Sequence, residues 1–185
     1  MTGALLSLFI GPPKDKADDQ PVFTGFLSAP GRKAVCGGTT AQIAARVSGT
    51  VLSVPLNDGA NERQADRIAG MPMIGDSIGV PPVGAIPGID LVTEGIVTLN
   101  RAISLLSVKN SGNRRVARDR AGDGGSLLAA ELEKSEEVHL WVGRGFDKRM
   151  DPILHERGLL GKREAVERLS AILREKKKRV SINWV

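Results

Sequence analysis

Short apolar runs alternate with longer stretches of helical periodicity along this chain, and glycine or proline separates most of them. Residues 5–10 are an apolar run that ends at Gly11, Pro12 and Pro13, which is the pattern of a buried strand followed by a turn. Comparable runs predict five further strands, at residues 33–36, 51–54, 89–92, 138–142 and 180–185.

Amphipathic periodicity predicts helices between these strands. Ile96, Leu99, Ile103 and Leu106 have the spacing of one buried helical face. Further helices are predicted at residues 21–27, between 40 and 48, from 123 or 126 to 134, and around 165–173. Alternating strands and helices predict one domain over residues 1–185, an α/β fold of three layers. Its sheet is mostly parallel, with about five or six strands and with helices on both faces.

Two segments do not fit this alternation. Residues 55–88 are rich in glycine and proline, and we interpret them as an insertion, a lid or an interaction loop. Residues 109–123 are polar and basic, and we expect a mobile loop there. Lys109–Arg120 and the second basic run at residues 174–179 raise nucleic acid as a partner. Because aromatic residues are only 3% of the chain and no binding motif is present, nucleic acid is not expected.

The amino-acid composition limits the kinds of functional site that this chain can form. The chain has one cysteine, Cys36, and two histidines, His139 and His155. A single cysteine excludes an internal disulfide framework, and so few cysteines and histidines do not indicate a metal site. Cys36 precedes a glycine turn and could be a nucleophile, although a small buried residue that ends a strand is the commoner explanation. The apolar opening is too short to span a membrane, so the cytoplasm is the expected location. No cofactor can be named.

Four predicted strands end in turns that contain glycine, and the turns after parallel strands lie at one edge of a sheet. Ligands bind at this carboxyl edge in open α/β folds. We therefore predict a ligand site there, with no catalytic residues and no metal. Its candidate residues are Gly37, Gly38, Thr39, Thr40, Thr93, Glu94, Gly95, Gly143 and Arg144.

The chemistry expected of this site is anion binding. Gly37 and Gly38 let backbone amides approach a ligand at a helix N-terminus, which favours a phosphate or a carboxylate. Each candidate also has a structural interpretation. Thr39 or Thr40 could only cap the helix, Glu94 could be a capping carboxylate, and Arg144 could be a surface charge.

Several motifs resemble the accessory C-terminal region of bacterial phosphatases of the sporulation stage II protein E type. The matching strings are Gly11-Pro12-Pro13-Lys14-Asp15, Ala34-Val35-Cys36-Gly37-Gly38-Thr39-Thr40-Ala41, Pro81-Pro82-Val83-Gly84, Ile89-Asp90-Leu91-Val92-Thr93-Glu94-Gly95-Ile96 and Val142-Gly143-Arg144. The resemblance covers most of the chain and keeps the order of the motifs. It implies an accessory domain whose metal-dependent phosphatase domain lies elsewhere, so phosphatase activity is not carried over.

Three functions follow as hypotheses. The first is a non-catalytic regulatory or assembly domain that binds an anionic ligand or a partner protein, such as a phosphatase domain or a hydrogenase-type redox complex. The second is an enzyme that acts on a phosphorylated small molecule, with Thr39, Thr40 and Glu94 in its pocket. The third is a nucleic-acid accessory module that uses residues 109–120.

Overall fold

The strands in the described part of the chain are all parallel and form one five-stranded sheet in the order β3-β2-β1-β4-β5. A computed structural model of the chain describes residues 4–50, 86–107, 124–145 and 150–185. Its strands are β1 (Leu5–Ile10), β2 (Arg32–Cys36), β3 (Leu91–Thr93), β4 (Glu137–Val142) and β5 (Arg179–Trp184). The predicted strand at residues 51–54, most of the 55–88 segment and all of the basic 109–123 segment lie outside the described residues.

Within these ranges the structure has six α-helices, and helices pack on both faces of the sheet. They are α1 (Asp19–Ser28), α2 (Gly38–Val47), α3 (Ile96–Ser107), α4 (Gly124–Lys134), α5 (Met150–Glu156) and α6 (Lys162–Glu175), and a short 3₁₀ turn, Lys16–Asp18, precedes α1. The three-layer α/β fold predicted from the sequence is therefore confirmed. No helix within the described ranges has the length and apolarity needed to cross a membrane.

The central strand β1 separates two apolar clusters because its side chains alternate between the faces of the sheet. Leu6, Leu8 and Ile10 face α3, α4 and α6, whereas Phe9 faces α1 and α2. Both clusters are closely packed, and none of these four side chains is more than 3% exposed.

Aromatic packing organises the smaller cluster. Phe9 stacks on Phe23 with ring centroids 4.3 Å apart, and it meets Phe26 edge to face at 5.2 Å. Trp141 on β4 extends this group and lies 5.9 Å from Phe26. Four of the six aromatic residues of the chain are thus concentrated where α1 packs on the sheet, and each contributes buried area.

Helix α5 was not predicted from the sequence. His155 lies in α5, and its ring nitrogen is 2.8 Å from a carboxylate oxygen of Glu164. The same carboxylate accepts a hydrogen bond from the backbone N–H of Gly161, and this contact begins helix α6. One carboxylate therefore serves both as the partner of His155 and as a helix cap, which local periodicity could not reveal.

The basic run after α6 has a structural role at a second helix. The ammonium group of Lys178 donates to the backbone oxygens of Glu133, at 2.8 Å, and Ser135. Lys176 pairs with the Glu133 carboxylate at 2.8 Å. These lysines stabilise the negative end of the α4 dipole.

We expect the aromatic cluster to carry much of the stability. Phe26→Ala would leave a cavity between α1 and the sheet and lower the free energy of unfolding by about 3–5 kcal/mol. Leu127→Ala is the control, because Leu127 is 38% exposed and its truncation should cost less than about 1 kcal/mol. Urea denaturation followed by circular dichroism measures both. Equal losses in the two variants would contradict this account of the core.

Candidate functional site

The predicted site residues lie in two groups at the carboxyl edge of the sheet, on either side of the end of β1. The first group follows β2 and β3, and the second follows β4 and packs against the turn after β1. The backbone N–H of Gly11 is 3.4 Å from the oxygen of Cys36 and links the two groups.

In the first group, the turns after β2 and β3 are in direct contact. The N–H of Gly37 donates to the oxygen of Thr93 at 2.8 Å, and the thiol of Cys36 donates to the oxygen of Gly95 at 3.2 Å. A Cβ atom placed on Gly95 would lie only 3.5 Å from the Gly37 Cα. Predicted residues that are more than fifty positions apart in the sequence therefore meet here.

Gly37 gives α2 an open N-terminus. Its φ of 123° is a conformation that side chains rarely adopt, and it is the N-cap of the helix without any side-chain cap. The alternative in which Thr39 or Thr40 caps the helix is therefore wrong. Gly38 and Thr39 are exposed, whereas Thr40 is buried. The amides of Gly38 and Thr39 therefore belong to exposed residues at a helix end that has no side-chain cap.

Two further helices begin beside this turn. Helix α3 starts directly after Gly95, whose oxygen accepts the Leu99 N–H at 2.9 Å. Helix α4 starts at Gly124, where an added Cβ would lie 3.5 Å from the Thr93 Cβ and 3.3 Å from the Thr98 Cγ2. We call this convergence of the first residues of α2, α3 and α4 around Thr93 the three-helix cluster. It places three positive dipole ends together.

The floor of the three-helix cluster is buried and polar. Thr93 is 2% exposed, and its hydroxyl has no hydrogen bond of ordinary geometry within the described part of the chain. The neighbouring Cys36 thiol is also buried, and burial raises its pKa to about 11. Cys36 is therefore a closing residue of β2 and is not suited to nucleophilic attack at neutral pH.

Glu94 lies between Thr93 and Gly95 at the same edge, and its side chain is exposed. It precedes the first residue of α3 by two positions, where a carboxylate interacts favourably with the helix dipole. The position is compatible with both predictions made from the sequence, a capping carboxylate or a contact to a ligand.

In the second group, glycine permits two loops to touch. A Cβ on Gly143 would lie 2.0 Å from the oxygen of Pro12, and one on Gly145 would lie 2.4 Å from the oxygen of Pro13. The N–H of Gly145 donates to the Pro12 oxygen at 3.0 Å. The chain itself thus fills the space between the ends of β1 and β4, where the strand order reverses and where open α/β sheets commonly bind ligands.

Arg144 differs from its glycine neighbours. Its backbone N–H donates to the oxygen of Val185 at 2.7 Å, which fixes the turn against the end of β5. Its side chain is exposed at the carboxyl edge. The structure therefore separates Arg144 from Gly37, Thr93 and Gly95, which meet directly, by the width of β1 and its turn.

Lys162 was not selected from the sequence, yet it anchors the second group. Its ammonium group donates to the oxygens of Gly143 at 2.5 Å and Gly145 at 2.7 Å. Partial burial lowers its pKa to about 8, while nearby Asp151 opposes this shift. The sequence does contain one indication of this role. A lysine in the first turn of a helix interacts unfavourably with the helix dipole, so its presence there suggests a contact elsewhere in the fold.

Three titratable side chains of β4 and β5 pair with one another near the surface. His139 on β4 is 2.9 Å from the carboxylate of Glu137, which also binds Arg179 at 2.7 Å. Interactions with His139 and then Arg179 hold the pKa of Glu137 below its usual value. Within the described ranges, no group of three or more histidine, cysteine, aspartate or glutamate side chains could hold a metal ion.

The loop contact predicts a strong dependence on Gly143. Gly143→Ala should lower the free energy of unfolding by about 2–4 kcal/mol, because the new methyl group meets the Pro12 backbone and the loops must separate. Gly38→Ala is the matched control, since nothing lies within 4 Å of its added Cβ. It should change stability by less than about 1 kcal/mol. Chemical denaturation compares the two, and a tolerated Gly143→Ala would refute the close packing.

The lowered pKa of Lys162 predicts a pH dependence. Between about pH 8 and pH 10.5 the unfolded chain keeps the Lys162 proton that the folded chain has released, so stability should rise with pH. Partial exposure reduces the gain to roughly 1–2 kcal/mol. Cys36, whose folded pKa is raised, acts in the opposite direction above pH 9.

The measurement is therefore the difference in unfolding free energy between the natural chain and Lys162→Met, taken from pH 7 to pH 10.5. Both proteins keep Cys36, so its contribution cancels. The difference should shift in favour of the natural chain as pH rises, and a flat difference would show that the ammonium group is not desolvated.

Comparison with models of protein families gives no match to this chain, and searches of curated protein sequences and of solved structures give no significant match either.

Proposed function

We propose that this chain is a non-catalytic regulatory or assembly domain that binds a small anion, a phosphate or a carboxylate, at the three-helix cluster. The observation that carries the proposal is the meeting of three helix N-termini around the buried hydroxyl of Thr93. Partial positive charge at each N-terminus adds at one place, and the expected complement is a negatively charged group.

Helix α2 supplies the most accessible part of this site. Its N-cap has no side chain, so the amides of Gly38 and Thr39 are not covered by the helix's own residues. The space beside Gly38 is open, because a Cβ atom added there would have no neighbouring heavy atom within 4 Å. The exposed Thr39 hydroxyl can add a donor to the same anion.

Binding is a better description than catalysis for the groups at this edge. The one thiol is buried and protonated at neutral pH, as its raised pKa requires. The sequence-based alternative, an enzyme that uses Thr39, Thr40 and Glu94, needs an activated nucleophile or a base beside the anion. Loss of turnover in Glu94→Gln, in a screen of phosphorylated small molecules, would promote that alternative over the binding function.

The resemblance described above supplies a setting for the proposal. An accessory domain that senses an anion could alter its contact with a phosphatase domain or a redox complex. Exposed Arg144, on the other side of β1, is our candidate for that contact. Arg144→Ala should weaken capture of the partner while leaving anion binding at the three-helix cluster unchanged.

The sharpest test places a negative charge in the site itself. Gly38→Asp puts a carboxylate at the first position of α2, where it should stabilise the helix by about 0.3–1 kcal/mol and repel an external anion. Gly38→Asn is the matched control of equal size without charge. Titration with inorganic phosphate, followed by calorimetry or amide chemical shifts, measures affinity.

We expect Gly38→Asp to weaken phosphate binding by at least about tenfold more than Gly38→Asn does. Binding to the natural chain should also weaken as salt is added. Failure of phosphate, sulfate and simple carboxylates to bind the natural chain would overturn the proposal, as would equal binding by the two variants.

A further inference from the structure

Strand β5 is an edge strand with unusual capacity for pairing. It has six residues, whereas the opposite edge strand, β3, has three. No segment within the described ranges pairs with the outer edge of β5. Natural sheets limit unwanted pairing with short edge strands, prolines or charges. The short strand β3 follows this rule and β5 does not.

Hydrogen bonds to β4 show which backbone groups of β5 face outward. Arg179 donates to the Glu136 oxygen at 3.0 Å, and Val185 donates to the Val142 oxygen at 2.9 Å. The backbone N–H and C=O groups of the odd-numbered residues therefore point toward β4, because these groups alternate in direction from one residue to the next along a strand. The N–H and C=O groups of the even-numbered residues, Val180, Ile182 and Trp184, consequently point toward the outer edge.

One charged group, the guanidinium of Arg174, lies 3.5 Å from the outward oxygen of Val180, and the strand itself carries few protective features. Residues 180–185 contain no charge and no proline. Trp184 is 36% exposed and is one of two large apolar residues exposed in the described part of the chain. Val180 and Ile182 pack partly against the cluster under α6. Arg179, at the start of the strand, is already paired with Glu137.

We propose that β5 is a dimer interface that takes a second copy of this chain, paired antiparallel with Ile182 on the twofold axis. Val180 then lies opposite Trp184 of the second copy, and two copies of Ile182 face each other. All three are residues whose backbone groups point outward, so about six hydrogen bonds join the copies. The result is one continuous sheet with a symmetric interface.

The alternation of β5 selects this register. With Ile182 on the axis, Trp184 packs on a β-branched residue, and Ser181 lies opposite Asn183 on the other face. A shift that puts Ser181 on the axis would place Trp184 opposite Lys178 instead. A shift of the pairing by one residue would place side chains from opposite faces of the sheet beside each other. The self-complementary sequence is the reason that a second copy is the partner.

Sedimentation of the full chain tests the interface. The natural chain should form a dimer, and Ile182→Pro should raise the dissociation constant by at least about tenfold, because proline removes an outward N–H without touching the bonds to β4. Asn183→Ala is the control, since it keeps every backbone N–H and removes only an exposed polar side chain from the other face, and it should remain dimeric. Trp184→Lys provides a second disruption that keeps the backbone unchanged.

A thermal melt of each variant shows whether it is folded. The proposal fails if the natural chain is monomeric at high concentration, or if folded Ile182→Pro and Trp184→Lys dimerise as tightly as the natural chain. If the natural chain is monomeric and instead binds a strand of another protein, that result also rejects the dimer.

Cross-linking tests the register. Val180→Cys and Trp184→Cys proteins, mixed and oxidised, should form a disulfide-linked heterodimer, because directly opposed residues have Cα atoms about 5.5 Å apart. Neither protein alone should cross-link efficiently. The native Cys36 is 2% exposed and should not interfere. Equal cross-linking by each single protein would reject this register.

Discussion

Pairing of β1 on both sides is the interaction on which the rest of this structure depends. Ile10 is in register with Cys36 of β2 and also with Val142 of β4, so three strands end at the same level. The strand is almost fully buried between two apolar layers, and burial fixes the register because a slip by one residue would exchange its faces. The turns at the carboxyl edge are brought together by this alignment.

The two sides of β1 use their glycines differently. On the β4 side, Gly143 and Gly145 permit backbone contact with the turn after β1, and Lys162 ties the oxygens of both glycines together. On the β2 side, Gly37 and Gly95 bring helix starts close to each other without filling the space above Gly38. The usual ligand crevice is closed, and the accessible amides lie one strand away from it.

The fold could be predicted well from the sequence because buried positions recur with the period of each strand or helix. Apolar runs of strand length located all five described strands within a few residues, and the stripe from Ile96 to Leu106 located α3. Helix α5 was missed because its seven residues bury only Leu154, which leaves no periodic signal. Its contact with α6, through His155 and Glu164, depends on tertiary structure.

The candidate site was predicted only in outline. Placement of Gly37, Thr93 and Gly95 at one edge followed from parallel topology alone. The close approach of Gly124 to Thr93 could not be predicted, because nothing in the sequence around residue 124 distinguishes a helix start near β3 from one elsewhere. Lys162 was missed for a related reason, since its two acceptors lie 19 and 17 residues away along the chain.

The proposed dimer and the proposed anion site are geometrically independent. All strands of one copy are parallel, and antiparallel pairing through β5 reverses their direction in the second copy. The two carboxyl edges therefore face opposite ways, and each three-helix cluster lies four strands from the shared axis. Neither copy can complete the site of the other. Loss of the dimer should consequently leave anion binding intact, and a charge at Gly38 should leave the dimer intact, so either proposal can fail without the other.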